Sequence, residues 1–212
     1  MEKIVLVGGG GHAKSVIDTI IRNNEYEIVG ILDTKEKISE TILGIEIIGT
    51  DKLAKKLFDE GITNAFISLG SVGNTDLRIS VTKKIKEIGF SFPKIIDKSA
   101  IVSSFSKIEE GVFVGKGAII NADAVIKSFS IINTNSVIEH DSIIGEFSHI
   151  SPSATLCGEV KVGSRSHIGA NATIIQGIKI GSDVLIGAGS TIIKDIEDSK
   201  VVVGNPGRDI HV

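Results

Sequence analysis

The 212-residue sequence has no tryptophan, one tyrosine, one cysteine and three prolines. A single cysteine, Cys157, excludes an internal disulfide, so the fold must rest on buried apolar surface, and the thiol itself is most simply a small packing residue. No run of about 20 apolar residues is present, which excludes a helix crossing a bilayer. The opening "MEKIVLVGGG" holds too short an apolar run for a signal peptide. Neither sign of charge dominates: the net charge is -3, the pI is near 6.0, and no block of like charges occurs. Nucleic acid and anionic membrane are therefore not expected partners. These absences leave a protein expected in the cytoplasm, long enough for one large or two small domains.

What is abundant is order. From residue 96 an aliphatic residue occupies every sixth position, from Ile96, Val102 and Ile108 through Ile138, Ile144 and Ile150 to Ile186 and Ile192, seventeen times without insertion. Four residues after each stands a small or aliphatic residue, such as Ala118, Ser136, Ala154, Ser166 or Ser190. A period of six fits neither a helix nor a simple strand; it is the repeat of a parallel β-helix, in which short strands stack on their counterparts one coil away. A purely structural solenoid would have no use for the charged triplet Glu139, His140 and Asp141, nor for His149 and His167 eighteen residues apart.

The first 95 residues follow another rule. "KIVLV" reads as a buried strand, "GGGGHAKS" as a glycine turn, residues 13 to 23 as a helix and "EIVGILD" as a second strand ending at Asp33. A second helix fits "DKLAKKLFDEG", a third strand "NAFISLG", a loop "SVGNTD" and a third helix "LRISVTKKIKEIG" after the possible caps Thr75 and Asp76. Such alternation predicts a small parallel sheet covered by helices. Two domains are expected, 1–95 and 96–212, with "FSFPKIIDKSA" at the change of period. Gly8, Gly10 and Ala13 match G-x-G-x-x-A, and Asp33 stands 20 residues beyond Ala13, as in dinucleotide sites. The region is about half a full dinucleotide fold, which disfavours a dehydrogenase. A half-sized version still offers helix N-terminal amides to phosphate and a strand-end carboxylate to ribose or base. Gly10, His12, Asp33 and Asn74 are accordingly the candidate substrate contacts, and a nucleotide attached to a sugar suits them.

With "VGGGGHAKSVID", "GILD", "SLGSVGN", "IEHDSIIGEFSHISPSATLCG" and "VVVGNPGR" in this order, the sequence resembles the NeuD/PglD-like sugar acetyltransferases of the hexapeptide-repeat acyltransferase superfamily. The resemblance covers nearly the whole chain. It implies a Rossmann-like α/β domain that binds the nucleotide-linked sugar, followed by a left-handed parallel β-helix, with acetyl-CoA lying between the β-helices of a homotrimer. It further implies that His140 is the general base, that Asp141 orients it, that His149 approaches the acetyl thioester, and that the Gly158 amide stabilises the oxyanion. The chemistry of these residue types agrees: acyl transfer needs proton removal near neutral pH, which imidazole supplies, and a carboxylate sets its tautomer. In an extended strand Asp141 would point away from His140, so their contact requires a bend at a coil corner; Glu139 is the substitute.

Residues eighteen apart at one corner form a column of small side chains, Pro152, Ala170 and Ala188, continuing to Pro206 if the register holds; Ala170 and Ala188 are the candidate acetyl-CoA contacts. The expected reaction is N-acetylation of a 4-amino group on a nucleotide-linked sugar, in surface polysaccharide biosynthesis. O-acetylation of a sialic acid or related sugar and a non-catalytic sugar-nucleotide module are the alternatives. A zinc site made by His140, His149 and His167, as in γ-type carbonic anhydrases, is disfavoured because that family sets two of its histidines five residues apart and has no βαβ domain.

Overall fold

A computed structural model describes residues 1–210, and contacts divide them into two units. The first comprises Met1–Ser71 and Asp76–Lys98; the second comprises Val72–Thr75 and the chain from Ser99.

In the first unit, strands β1 (Glu2–Val7), β2 (Tyr26–Leu32), β4 (Ile45–Gly49) and β5 (Asn64–Ile67) run parallel, in the spatial order β4-β2-β1-β5. Strand β3 (Thr41–Ile42) adds an antiparallel edge to β4. Ile4, Val5 and Leu6 are wholly buried, as expected of a central parallel strand covered on both faces. Helix α1 (Gly11–Asn23) buries Ala13, Val16, Ile17 and Ile20, one stripe at helical spacing, and ends at Asn24, whose left-handed backbone returns an N–H to the Ile20 carbonyl. The stretch expected as a second helix is a 3-10 turn at Asp51–Leu53 followed by α2 (Ala54–Asp59), and α3 spans Asp76–Ile88. The edge hairpin of β3 and β4 has no counterpart in the sequence reading, because two residues of strand and the short run "IEIIG" carry too little periodicity. Ile96 and Asp97 stay with this unit although the six-residue period has begun. The Ile96 carbonyl accepts from Asn23 Nδ2 at 2.6 Å, and the fully buried Asp97 accepts from Thr19 Oγ1 at 3.1 Å and Arg22 Nη1 at 3.0 Å.

The second unit is the left-handed parallel β-helix. Two-residue strands pair with partners eighteen residues away, Ile119 with Val137 and Val137 with Thr155 on one face, His149 with His167 on another. The periodic aliphatics Ile126, Ile132, Ile138, Ile144 and Ile150 are fully buried. The small residue four positions later is explained by the corner it turns into: Ser130, Ser148 and Ser166 are buried, and their hydroxyls donate to the carbonyls of Gly145, Gly163 and Gly181 at 2.8, 2.7 and 2.7 Å. One position before that small residue, the backbone turns left-handed. From Gly111 to Gly189 all fourteen such residues have positive φ, and they include Asp123, Asn135, Asp141 and Asn171. Asp, Asn and Gly tolerate this conformation. Phe129 and Phe147, bulky residues for which it is unfavourable, stack on each other with ring centroids 5.1 Å apart.

The register changes once. Thr173 pairs with Thr191 at the usual offset of eighteen, but Ile180 bridges Ile196 and Leu185 pairs Val201, an offset of sixteen. The corner after Ile192 is two residues short, and side chains accept there from amides of the preceding coil: Asp195 Oδ1 from the Lys179 amide at 2.9 Å and Asp198 Oδ1 from the Ser182 amide at 2.7 Å. The condition attached to Pro206 therefore fails, since an offset of sixteen carries Ala188 to Gly204.

Candidate active site

Two groups of residues stand out, one in each unit. In the β-helix the triplet sits at a corner. Asp141 occupies the left-handed position with φ of 60°, and this bend brings Oδ2 to 2.8 Å from His140 Nδ1. A carboxylate only accepts, so Nδ1 carries the proton and neutral His140 keeps its lone pair at Nε2. The hydrogen bond to Asp141 raises the His140 pKa above its ordinary value; desolvation opposes it, and the nearby charges of Asp141, Glu139 and Glu159 add to the rise. Glu139 reaches only the backbone amide of His140, at 3.4 Å.

One coil on, Gly158 lies under this ring: a Cβ there would stand 2.6 Å from His140 Cε1 and 2.7 Å from Nε2. The ladder runs through Glu159 N to His140 O at 2.9 Å and leaves the Gly158 amide outside it. Among the described residues the amides of Gly158, Ala170 and Ala188 donate to no protein acceptor, and Pro152, which has no N–H, occupies the equivalent position of another coil. The column Pro152, Ala170, Ala188 is exposed, and its coils are tied by Asn171 N to Pro152 O and Gly189 N to Ala170 O. It is a strip of small side chains with open amides, suited to an extended ligand that accepts hydrogen bonds.

His149 and His167 are paired strand residues with ring centroids 4.9 Å apart, edge to face. His149 Nε2 meets Asn133 Nδ2 at 3.1 Å, and the more buried His167 Nε2 meets Ser151 Oγ at 3.1 Å.

In the first unit the glycine turn joins β1 to α1. Gly8 has φ of 107° and its amide donates to the Leu32 carbonyl at 2.8 Å, so only glycine suits the turn. Gly10 is the N-cap of α1 and has open space where a Cβ would stand, as an approaching phosphate needs. His12 lies in the first turn of α1, its Cβ packed toward Gly70. Asp33 does more than the sequence suggested. Its nearly buried carboxylate accepts from the Gly9 amide and the Thr34 amide, each at 2.6 Å, and from Lys37 Nζ at 3.2 Å. Burial raises its pKa, yet these bonds to Thr34, Gly9 and Lys37 leave it below the usual value. A cleft of about 280 Å³ opens beside it at the carboxyl ends of the strands, walled by Leu32, Leu69, Leu77 and Val81, with the Asp51 to Lys84 ion pair (3.2 Å) at its edge. Sequence reading missed these walls and Asn133, since nothing in the local pattern marks them. Asn74 is not grouped with these residues: it lies exposed in the loop after β5, in the segment Val72–Thr75 that belongs to the second unit, its amide donating to the Val72 carbonyl at 2.9 Å.

Known proteins agree with both units. The family described as PglD N-terminal domain matches residues 3–85, and bacterial transferase hexapeptide (six repeats) matches 141–176 and 159–194. Perosamine N-acetyltransferase from Caulobacter crescentus, solved with CoA and GDP-perosamine and also as variants with a histidine replaced by asparagine or alanine, is 34% identical over 100% of this chain and 98% of its own, with a TM-score of 0.94. The acetyltransferase domain of PglB from Neisseria gonorrhoeae, solved with acetyl coenzyme A, is 33% identical over 99% of each chain, with a TM-score of 0.91. WeeI from Acinetobacter baumannii shares the fold, at 20% identity over 99% of this chain and 100% of its own and a TM-score of 0.86. No curated protein sequence matches.

Proposed function

Since this chain belongs to the hexapeptide-repeat sugar acetyltransferases that carry a PglD N-terminal domain, we propose that it moves an acetyl group from acetyl-CoA to the amino group of a nucleotide-linked amino sugar, at the 4-position. The observation that carries the chemistry is the corner where His140 is bound to Asp141 through Nδ1 and lies over the bare backbone of Gly158.

In this reading the sugar amine attacks the thioester carbonyl as His140 Nε2 takes its proton. The new C–N bond forms a tetrahedral oxyanion, to which the Gly158 N–H donates. Collapse breaks the C–S bond, and the imidazolium returns the proton to the departing CoA thiolate. Asp141 supports the imidazolium in between. His149 contacts the acetyl oxygen, and the amides of the Ala170 and Ala188 column hold the CoA chain. Gly10, His12 and Asp33 serve the nucleotide sugar, with the unit that runs to Lys98 as its binding domain and the β-helix from Ser99 as the transferase domain. The 280 Å³ cleft supports this, for its apolar walls and polar edge suit a base or ribose.

We further propose a homotrimer, because a β-helix offers flat faces that can close around a threefold axis. Placement in the cytoplasm, in surface polysaccharide synthesis, follows from the co-substrates.

The test is a screen of UDP-, dTDP- and GDP-linked 4-amino sugars and free sialic acid with acetyl-CoA, following free thiol, for the parent protein and His140→Ala. A loss of about 10² to 10⁴ in kcat with both substrates still bound is expected. Undiminished turnover in correctly assembled His140→Ala protein would remove the general base. A monomer by light scattering would remove the shared site.

A further inference from the structure

Two carboxylates line the cleft of the first unit, Asp33 and Asp51, and their capacity to bind differs. Asp33 is largely spent: Oδ2 accepts from the Gly9 amide and Lys37 Nζ, and Oδ1 accepts from the Thr34 amide. A carboxylate oxygen has two lone pairs, so one position remains on Oδ1, enough for a single hydroxyl. Asp51 opens the 3-10 turn after β4, and its carboxylate bonds one side chain, Lys84, through Oδ2 at 3.2 Å. Leu77, Val81 and Lys84 stand at i, i+4 and i+7 on α3, so one stripe of the helix brings two apolar side chains and then an ammonium to the cleft. Gly8 lines the same cleft where β1 gives way to the glycine turn, so a nucleoside with its base against the apolar walls directs its phosphates toward Gly10.

The ion pair itself is part-exposed, with side-chain exposures of 59% for Lys84 and 37% for Asp51, and such pairs contribute little to stability. What it gives the cleft is a fixed pattern, two acceptor oxygens next to an ammonium donor. That pattern discriminates among bases. The Watson–Crick edge of guanine carries two adjacent donors, N1–H and N2–H, followed by the O6 acceptor. The two Asp51 oxygens accept from the donors side by side and Lys84 Nζ donates to O6, which pairs every group on the edge. Uracil and thymine carry one donor between two carbonyls, so one Asp51 oxygen accepts from N3–H while the other faces a carbonyl oxygen. Adenine and cytosine offer an exocyclic donor with a ring acceptor beside it, which leaves the second Asp51 oxygen opposed in the same way.

We propose that Asp51 and Lys84 are the base-selecting residues of this chain and that they select a guanine, so that the acceptor sugar is carried on guanosine diphosphate. The proposal rests on the reading of the first unit as the nucleotide-sugar domain and adds to it the identity of the base. A site that pairs each polar group of its ligand rejects an analogue that leaves one unpaired far more strongly than apolar walls reject a change of size. Leu32, Leu69, Leu77 and Val81 therefore hold a flat ring without choosing it, and the choice falls to the polar edge.

Calorimetry of the full-length protein with the 5′-diphosphates of guanosine, inosine, xanthosine, uridine, thymidine and adenosine reads this selection without acetyl-CoA or a sugar. The parent should bind GDP tightest, with UDP, dTDP and ADP weaker by about tenfold or more, the usual loss for a hydrogen bond to a charged group. IDP, which lacks the N2 donor, should also bind more weakly than GDP. In Asp51→Asn one oxygen still accepts from N1–H, but Nδ2 now faces the guanine amine, whereas in xanthine a carbonyl stands there. The variant should lose GDP and gain XDP, inverting the preference, and an unfolded protein cannot gain a ligand. Lys84→Met removes the donor to O6, which GDP and IDP share, and should weaken both by the same factor. UDP or dTDP bound by the parent as tightly as GDP, or an Asp51→Asn protein that prefers GDP over XDP as the parent does, would overturn the base assignment and leave the nucleotide-sugar reading intact. If none of these nucleotides binds the parent, that reading of the first unit falls and the base assignment falls with it.

Discussion

The His140 ring rests on Gly158, and the fit leaves no room for a side chain: a Cβ would lie 2.6 Å from Cε1. Gly158 does not have a positive φ, so alanine suits its backbone, and the half-exposed imidazole can swing away. Gly158→Ala should therefore cost little stability, because the clash falls on the movable His140 ring and not on backbone, while displacing the base. Because a misplacement of about 1 Å can cost 10²-fold, kcat should drop by that order with the melting temperature unchanged. Full kcat in Gly158→Ala would mean that the ring position does not matter.

Asp141→Asn tests the electrostatics of the same ring. The carboxylate stabilises the imidazolium and so raises the His140 pKa. Activity that needs the neutral base should rise with pH as that proton leaves. Removing the carboxylate should move the acid limb of kcat/KM to lower pH while lowering the plateau, since the imidazolium formed in the reaction loses its support. A limb that stays in place would assign the titration to another group.

Asp33→Ala should have two effects, because the carboxylate lines the cleft and also ties the glycine turn through Gly9. Loss of hydrogen bonds to a charged group corresponds to about 1.5 to 3 kcal/mol, expected both as lower stability and as weaker nucleotide-sugar binding by calorimetry. Its folded pKa lies below the unfolded value, so its stabilisation is present above pH 3.8 and is lost as pH falls through the lower folded value. The gap in urea midpoint between variant and parent should narrow in that window. Binding as tight as the parent's would place the principal substrate site elsewhere.

Ala188→Trp tests the strip of open amides. A large side chain on this exposed corner should raise the KM for acetyl-CoA by on the order of tenfold, equivalent to about 1.4 kcal/mol, and leave nucleotide-sugar affinity unchanged. Unaltered acetyl-CoA kinetics would locate the CoA trough on another column.

Much of this was legible because a β-helix is built by local repetition. Ile138, Ile144 and Ile150 had to be aliphatic once per six residues, since each points into the same narrow core. The αβ half was legible from buried runs and glycine turns, apart from the Ile45–Gly49 strand, which is too short to show a period. The cleft walls were not: Leu69, Leu77 and Val81 meet Leu32 only after the sheet is assembled.

At the site the division is sharper. Sequence alone determined that His140 would stand one coil from Gly158 and His149 one coil from His167, because spacing in a regular solenoid is geometry. It also determined that Asp141 could reach His140 only through a bend. Tertiary structure decided the rest. The left-handed corner at Asp141 turned proximity into a hydrogen bond, and the two-residue shortening after Ile192 moved Pro206 out of the column it was expected to join. The Thr134 amide oriented the Asn133 carboxamide beside His149. A repeat dictates which residues are stacked; the direction in which each side chain donates depends on the partners that stacking supplies.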